Sequence, residues 1–151
     1  MSDLLLFLVT LIVNLKFCRM PGRVLIFDDD TDLLEVCSIV LRSKNYIVKG
    51  LNKCNEILRE VNAFSPDVIL MDNWIPDSGG VQASRLIKND SALKNIPVIF
   101  FSANVQVQDL ASEAGAEFFL QKPFEIEELE NVVSRAIAIH RQTGSVKAGN
   151  A

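Results

Sequence analysis

Short runs of apolar residues recur along the chain, and each stops at a polar side chain with chemical use. Val24-Leu25-Ile26-Phe27 runs into Asp28-Asp29-Asp30, and Val68-Ile69-Leu70-Met71 runs into Asp72. Val98-Ile99-Phe100-Phe101 runs into Ser102, and Phe118-Phe119-Leu120 is followed closely by Lys122-Pro123. Tyr46-Ile47-Val48 is a shorter run of the same kind. Continuous apolar runs of strand length suit strands covered on both faces, as in a parallel sheet.

Helix-length segments separate these runs. Asp30 or Thr31 can cap the first, whose apolar stripe is Leu33, Leu34, Val36, Cys37, Ile39, Val40 and Leu41, ending near residues 43–45. A second helix is predicted over residues 56–61, stopped by Ser65-Pro66-Asp67. Ile75-Pro76-Asp77-Ser78-Gly79-Gly80 is turn chemistry before a third helix over 81–88. A weak fourth helix spans 105–114 and ends at Gly115. A long fifth helix covers 125–141, with acids early and Arg135, His140 and Arg141 late, as the macrodipole favours. Residues 143–151 are polar and expected to fray.

Five strands alternating with five helices predict an α/β domain with a five-stranded parallel sheet, doubly wound in the flavodoxin-like order 2-1-3-4-5. At 151 residues the chain holds one such domain, placed at residues 20–141, with an apolar extension over 1–19 and a polar tail over 142–151. A net charge of −4 and no basic stripe argue against nucleic acid as a partner. Cys18, Cys37 and Cys54 are odd in number and too far apart for a zinc motif, so reduced thiols in a cytoplasmic protein are expected.

The extension is almost wholly apolar over residues 4–15. As a helix it reaches only about 18 Å, well short of a ~30 Å hydrocarbon core. Asp3 stands where a signal peptide carries positive charge, and no small-residue cleavage site follows. Three readings stay open: translation that starts at Met20, an apolar helix docking on the domain or a partner, and, least favoured, a membrane tether.

In a doubly wound sheet, ligands bind at the carboxyl ends of the strands. Asp28, Asp29, Asp72, Ser102 and Lys122 are expected to converge there. Two carboxylates ~5 Å apart at an effective dielectric of ~20 repel by roughly 3 kcal/mol, so such a cluster calls for a cation. Magnesium suits it, being a hard ion with oxygen ligands and a taste for phosphate chemistry. Asp28, Asp29, one oxygen of Asp72 and the backbone carbonyl of Trp74 form the expected ligand set. Asp72 then has an oxygen free to attack phosphorus in line. Lys122 offers a charge and Ser102 a hydroxyl to the phosphoryl oxygens. The bond before Pro123 is the place where a cis peptide costs least.

At these residues the sequence resembles the receiver domain of two-component response regulators, over residues 23–141. The matching marks are the acidic pair Asp28 and Asp29, the phosphoacceptor position Asp72, Ser102 after the fourth strand and Lys122-Pro123 after the fifth. The turn at 75–80 and Gly115-Ala116 fit as well. The resemblance implies that a sensor histidine kinase or a phosphotransfer protein donates phosphoryl to Asp72, with slow self-catalysed phosphorylation and dephosphorylation rather than enzymatic turnover. It also implies that Ser102 shifts toward the phosphoryl group and that the aromatic on the fifth strand, Phe119, turns inward. The surface of helix four, strand five and helix five would then change for a downstream protein target or a second copy of the chain. Trp74 sits where the family's residue borders the phosphoryl group, so its indole is expected to slow hydrolysis. With no output domain after the last helix, a single-domain regulator is expected, a fragment of a larger product being the other reading.

The alternative is a magnesium-dependent phosphohydrolase of the haloacid dehalogenase kind, suggested by the Asp-x-Asp spacing of Asp28 and Asp30. Asp32 departs from that family's Thr or Val, no acidic pair follows Lys122 in a further strand, and the length leaves no cap domain. A receiver-like protein that binds partners without phosphorylation is a third reading. Among the bland assignments, Asp30 is expected to be a helix cap, Asp77 a loop acid, His140 a surface residue, and Cys37 and Cys54 packing residues.

Overall fold

The computed structural model describes residues 4–10, 20–76 and 78–148. Five strands, β1 (Arg23–Phe27), β2 (Ile47–Leu51), β3 (Val68–Asp72), β4 (Val98–Ser102) and β5 (Phe118–Gln121), pair in parallel in the order β2-β1-β3-β4-β5. The expected order is the observed one. Four helices connect them, α1 (Thr31–Ser43), α2 (Ile57–Phe64), α3 (Gly80–Asn89) and α4 (Val107–Ala114), and α5 (Ile126–Ala148) follows β5. Residues 4–10 are helical. Among the described residues no helix is long and apolar enough to cross a membrane.

Side chains alternate across a strand, so each apolar run supplies two cores. Leu25, Phe27, Ile69, Met71, Val98 and Phe100 pack with Ile57 and Val61 of α2, Ala83 and Ile87 of α3, and Val107 and Ala111 of α4. Val24, Ile26, Val68, Leu70, Ile99, Phe101 and Leu120 pack with Cys37 and Leu41 of α1 and with Leu129, Val133 and Ile137 of α5. A fully buried side chain of this size contributes about 1.5–3 kcal/mol. The two sandwiched layers therefore hold the strand ends rigidly in register.

Local chemistry sets the boundaries. Asp30 caps α1, accepting the N–H groups of Asp32 and Leu33 at 3.0 Å. Ser65 and Gly115 end α2 and α4 in the left-handed conformation.

Several expectations are corrected. The stripe of α1 is narrower than its sequence, because Val36 and Ile39 are exposed while Cys37 and Leu41 are buried. A 13-residue helix has only one side against the sheet. Helix α4 starts at Val107, leaving Val105 in the preceding loop. Helix α5 runs on through the segment expected to fray, to Ala148. Once the apolar part of α5 is packed, each further residue adds a hydrogen bond without a new nucleation cost. Asp77, Cys18 and residues 11–19 lie outside the described residues.

Candidate functional site

The register places the polar strand ends side by side. Phe27 pairs with Met71 and Asp72 with Phe101, while Ser102 pairs with Gln121, one residue before Lys122. The ladder continues one step further through Asp28 N–H to Leu51 O (3.1 Å), Asn73 N–H to Phe101 O (3.2 Å) and Lys122 N–H to Ser102 O (2.8 Å). Packing then takes Asp28, Asp72 and Ser102 out of solvent, leaving each 1–5% exposed. Asp29 stays exposed.

Lys122 joins the two buried acids. Its Nζ donates to Asp28 Oδ2 at 2.6 Å and to Asp72 Oδ1 at 2.7 Å. The ammonium also lies 4.4 Å from the centre of the Phe101 ring, whose face favours a cation. The Lys122–Pro123 peptide is cis. The remaining oxygens take backbone donors: Asp30 N–H reaches Asp28 Oδ1 at 2.9 Å, and Trp74 N–H reaches Asp72 Oδ2 at 2.6 Å. Ser102 Oγ accepts Asn104 N–H at 3.1 Å.

Burial pushes the Asp28 carboxyl above its ordinary value, and the Asp72 charge adds to this, against the lowering by the Lys122 and Asp30 hydrogen bonds. Burial alone would pull the Lys122 ammonium down. The hydrogen bonds and charges of Asp28 and Asp72 outweigh it, so Lys122 holds its proton more firmly than usual. Both partners are thus raised. For Asp28 the cost of leaving water exceeds the help of one shared ammonium, whereas Lys122 has two carboxylates to itself.

Oxygen atoms of Asp28, Asp29 and Asp72 all lie within 4.8 Å of one another, so this cluster can hold a metal ion. The donors are all carboxylate oxygens, the hard set that magnesium or calcium takes, with no thiolate or imidazole to favour a softer metal. The fit to a hard divalent cation is good.

Sequence reasoning missed the supports of the site. A Cβ on Gly80 would lie 1.9 Å from the carbonyl oxygen of Asp72, so the first turn of α3 can pass behind the acid only as glycine. Gly79 sits at φ +70° just before it. The glycine pair was the available signal. Asn104 and Phe101, which contact Ser102 and Lys122, carried no such mark.

Two expected residues point outward. Trp74 keeps its backbone N–H on Asp72 while its indole is 75% exposed, and Phe119 is 46% exposed. His140, expected to be a plain surface residue, has Nδ1 3.1 Å from Asn95 O. Cys37 and Cys54 are buried, and Cys54 Sγ lies 3.4 Å from Ser78 Oγ.

Residues 24–134 match the family model described as the response regulator receiver domain. The DNA-binding response regulator MtrA of Mycobacterium tuberculosis (strain ATCC 25618 / H37Rv) is 31% identical over 112 residues, covering 73% of this chain and 48% of MtrA. The CAI-1 autoinducer sensor kinase/phosphatase CqsS of Vibrio cholerae is also 31% identical, over 82% of this chain but 18% of CqsS. The chain spans about half the length, or less, of these curated relatives. A solved signal receiver domain of a signal transduction histidine kinase from Syntrophus aciditrophicus superposes with a TM-score of 0.71 at 26% identity, covering 78% of this chain and 90% of that one. A matched segment that takes in all five strands but for Arg23, together with the whole acidic cluster, makes this chain a member of the response regulator receiver domain family.

Proposed function

We propose that Asp72 accepts a phosphoryl group from the phosphohistidine of a sensor kinase or phosphotransfer protein in the cytoplasm. The single observation that carries this reading is the Lys122 ammonium bridging Asp28 and Asp72 at 2.6 and 2.7 Å. That ammonium already sits beside the oxygen that would attack, where charge on the incoming phosphoryl oxygens must be met. In the transfer a new bond forms from an Asp72 oxygen to phosphorus as the phosphorus–nitrogen bond breaks, and the leaving imidazole nitrogen keeps its electron pair. Ser102 accepts Asn104 N–H and keeps its own hydroxyl hydrogen to donate to a phosphoryl oxygen.

Asp28, Asp29, Asp72 and the Trp74 carbonyl would hold magnesium, which when bound neutralises phosphoryl charge. The site turns over slowly by itself, accepting phosphoryl from small donors and losing it to water. The receiver match covers the residues that suggested a phosphohydrolase and leaves that reading without support.

The output is a changed surface. Phe119 on β5, Val105 ahead of α4 and Ile126 at the start of α5 are exposed apolar residues on the face expected to meet a downstream protein or a second copy. Movement of Ser102 toward the phosphoryl group opens space for Phe119 to turn inward. Shifting such a two-state surface from 1:99 to 99:1 takes about 5.5 kcal/mol.

Incubation with acetyl phosphate and magnesium, followed by mass mapping of peptides, tests the proposal. One phosphoryl group on the Asp72 peptide is expected, and none on Asp72→Asn. A phosphoryl group located elsewhere overturns it.

A further inference from the structure

Phe101 is the last apolar residue of β4, directly before Ser102, at a place where the core needs only apolar bulk. Its side chain is fully buried and belongs to the core made with Leu70, Ile99 and Leu120 of the sheet and Leu129 and Val133 of α5. An aliphatic side chain would serve that core as well, because swaps that roughly conserve volume are tolerated at small cost. The aromatic ring adds what an aliphatic side chain lacks, a negative face.

That face is in use. Phe101 pairs with Asp72 across one ladder and with Leu120 across the other, two residues before Lys122. The residue therefore stands between the strand that ends in the acceptor carboxylate and the strand that delivers the ammonium, with Lys122 Nζ 4.4 Å from the ring centre. The same nitrogen is 2.6 Å from Asp28 Oδ2 and 2.7 Å from Asp72 Oδ1. Only 18% of the lysine side chain meets solvent, and a largely desolvated cation is the one an aromatic face attracts most strongly. Phe124, two residues beyond Lys122, meets the Phe101 ring edgewise, with centres 6.3 Å apart and planes at 64°, and so fixes its tilt.

We propose that Phe101 is a positioning residue for phosphoryl transfer, its ring holding the Lys122 ammonium in place while that ammonium exchanges its contacts with the acids. The role rests on Asp72 being the phosphoacceptor. As the bond from Asp72 to phosphorus forms, one carboxylate oxygen becomes the bridging oxygen of an acyl phosphate, and the group loses its charge. Its hold on the ammonium weakens, and Lys122 must turn to a phosphoryl oxygen instead. Lysine carries its charge on a flexible four-carbon stem, so a group released by one partner is free to wander before it finds the next. The ring takes no part in the exchange. Its face attracts the cation equally before and after transfer, and keeps it at the site throughout.

The test replaces Phe101 of the full chain in turn by mono-, di- and trifluorinated phenylalanine, which keep the shape of the ring while drawing charge from its face. With acetyl phosphate and magnesium, the rate of labelling at Asp72 is expected to fall stepwise along the series, by about fivefold at the last member. Phe101→Leu is expected to be at least as slow. A second readout, urea unfolding without donor or metal, separates attraction from packing. Fluorination is expected to lower the urea midpoint more in the chain with Lys122 than in Lys122→Met, a difference that a ring which only packs would not produce. A level labelling rate along the series, in protein that does label at Asp72, overturns the role of the ring. So does an equal fall in midpoint with and without the lysine. No label on the unmodified chain overturns the phosphoacceptor reading itself, and the role of the ring falls with it.

Discussion

The two ends of the sheet use the same kinds of charged side chain to opposite effect. At the amino end Asp67 is a single carboxylate, held by Arg23 N–H at 2.8 Å and by the Arg141 guanidinium at 3.4 Å. The Arg23 guanidinium is spent on Phe64, donating to its carbonyl at 2.7 and 2.9 Å and lying 4.5 Å from its ring centre. At the carboxyl end three carboxylates crowd around one ammonium. The lower end is electrically closed and the upper end carries surplus negative charge. A balanced pair needs only the fold to explain it. A surplus held in place by two packed cores is stable in function only if another cation arrives.

Removing one charged group at each end gives the widest separation. Lys122→Met leaves Asp28 and Asp72 facing each other and is expected to cost about 2–4 kcal/mol in urea unfolding, the usual loss for a broken buried pair discounted for the part exposure of the lysine. Asp67→Asn at the lower end is expected to cost about 1 kcal/mol or less, since its partners keep other bonds. Equal losses at the two ends would break the contrast.

Magnesium sharpens it next. Saturating the upper site at about 100 times Kd is expected to add roughly 2.7 kcal/mol to stability. Asp29→Asn should remove most of that gain and Asp67→Asn none of it, read as the shift in urea midpoint.

The pH response follows from the raised Asp28 carboxyl. Its contribution favours folding in full below the unfolded value near 3.8 and is lost as pH rises through the higher folded value. Asp28→Asn is therefore expected to stabilise the metal-free protein at pH 7, with the gain shrinking in acid. Lys122 acts at the other limit: its contribution is complete below about 10.5 and disappears as pH rises through its raised value. A gain from Asp28→Asn that persists unchanged at pH 3 would contradict the burial argument.

Smaller effects belong to the rim. If the indole of Trp74 swings over the phosphoryl group, Trp74→Asn should lose label from phosphorylated protein several-fold faster; equal or slower loss removes that role. Burial, with the charge of Asp28, pushes the Cys37 thiol up to about 11. Alkylation of Cys37 in the folded protein at pH 8 should therefore lag far behind that in urea.

Much of the site was legible because strand ends are local features. The change from apolar run to Asp28, Asp72 or Ser102 marks both the end of a strand and the side of the sheet where it ends. The supports were not legible in the same way. Phe101 reads as one more core residue, and nothing in its neighbours shows that the Lys122 ammonium rests on its ring. Val36 and Ile39 share the pattern of Cys37 and Leu41 yet face solvent, because the sheet covers only part of α1.

The sequence by itself determined the order of elements, the division of each strand between two cores, and the set of polar residues brought to one edge, since these follow from side-chain period and chain connectivity. Only the tertiary structure decided that Lys122 binds Asp28 from 94 positions away, that Trp74 and Phe119 point outward, and that α5 runs on to Ala148. Such contacts depend on how whole layers settle against each other, and packing of distant segments leaves no periodic trace in the chain.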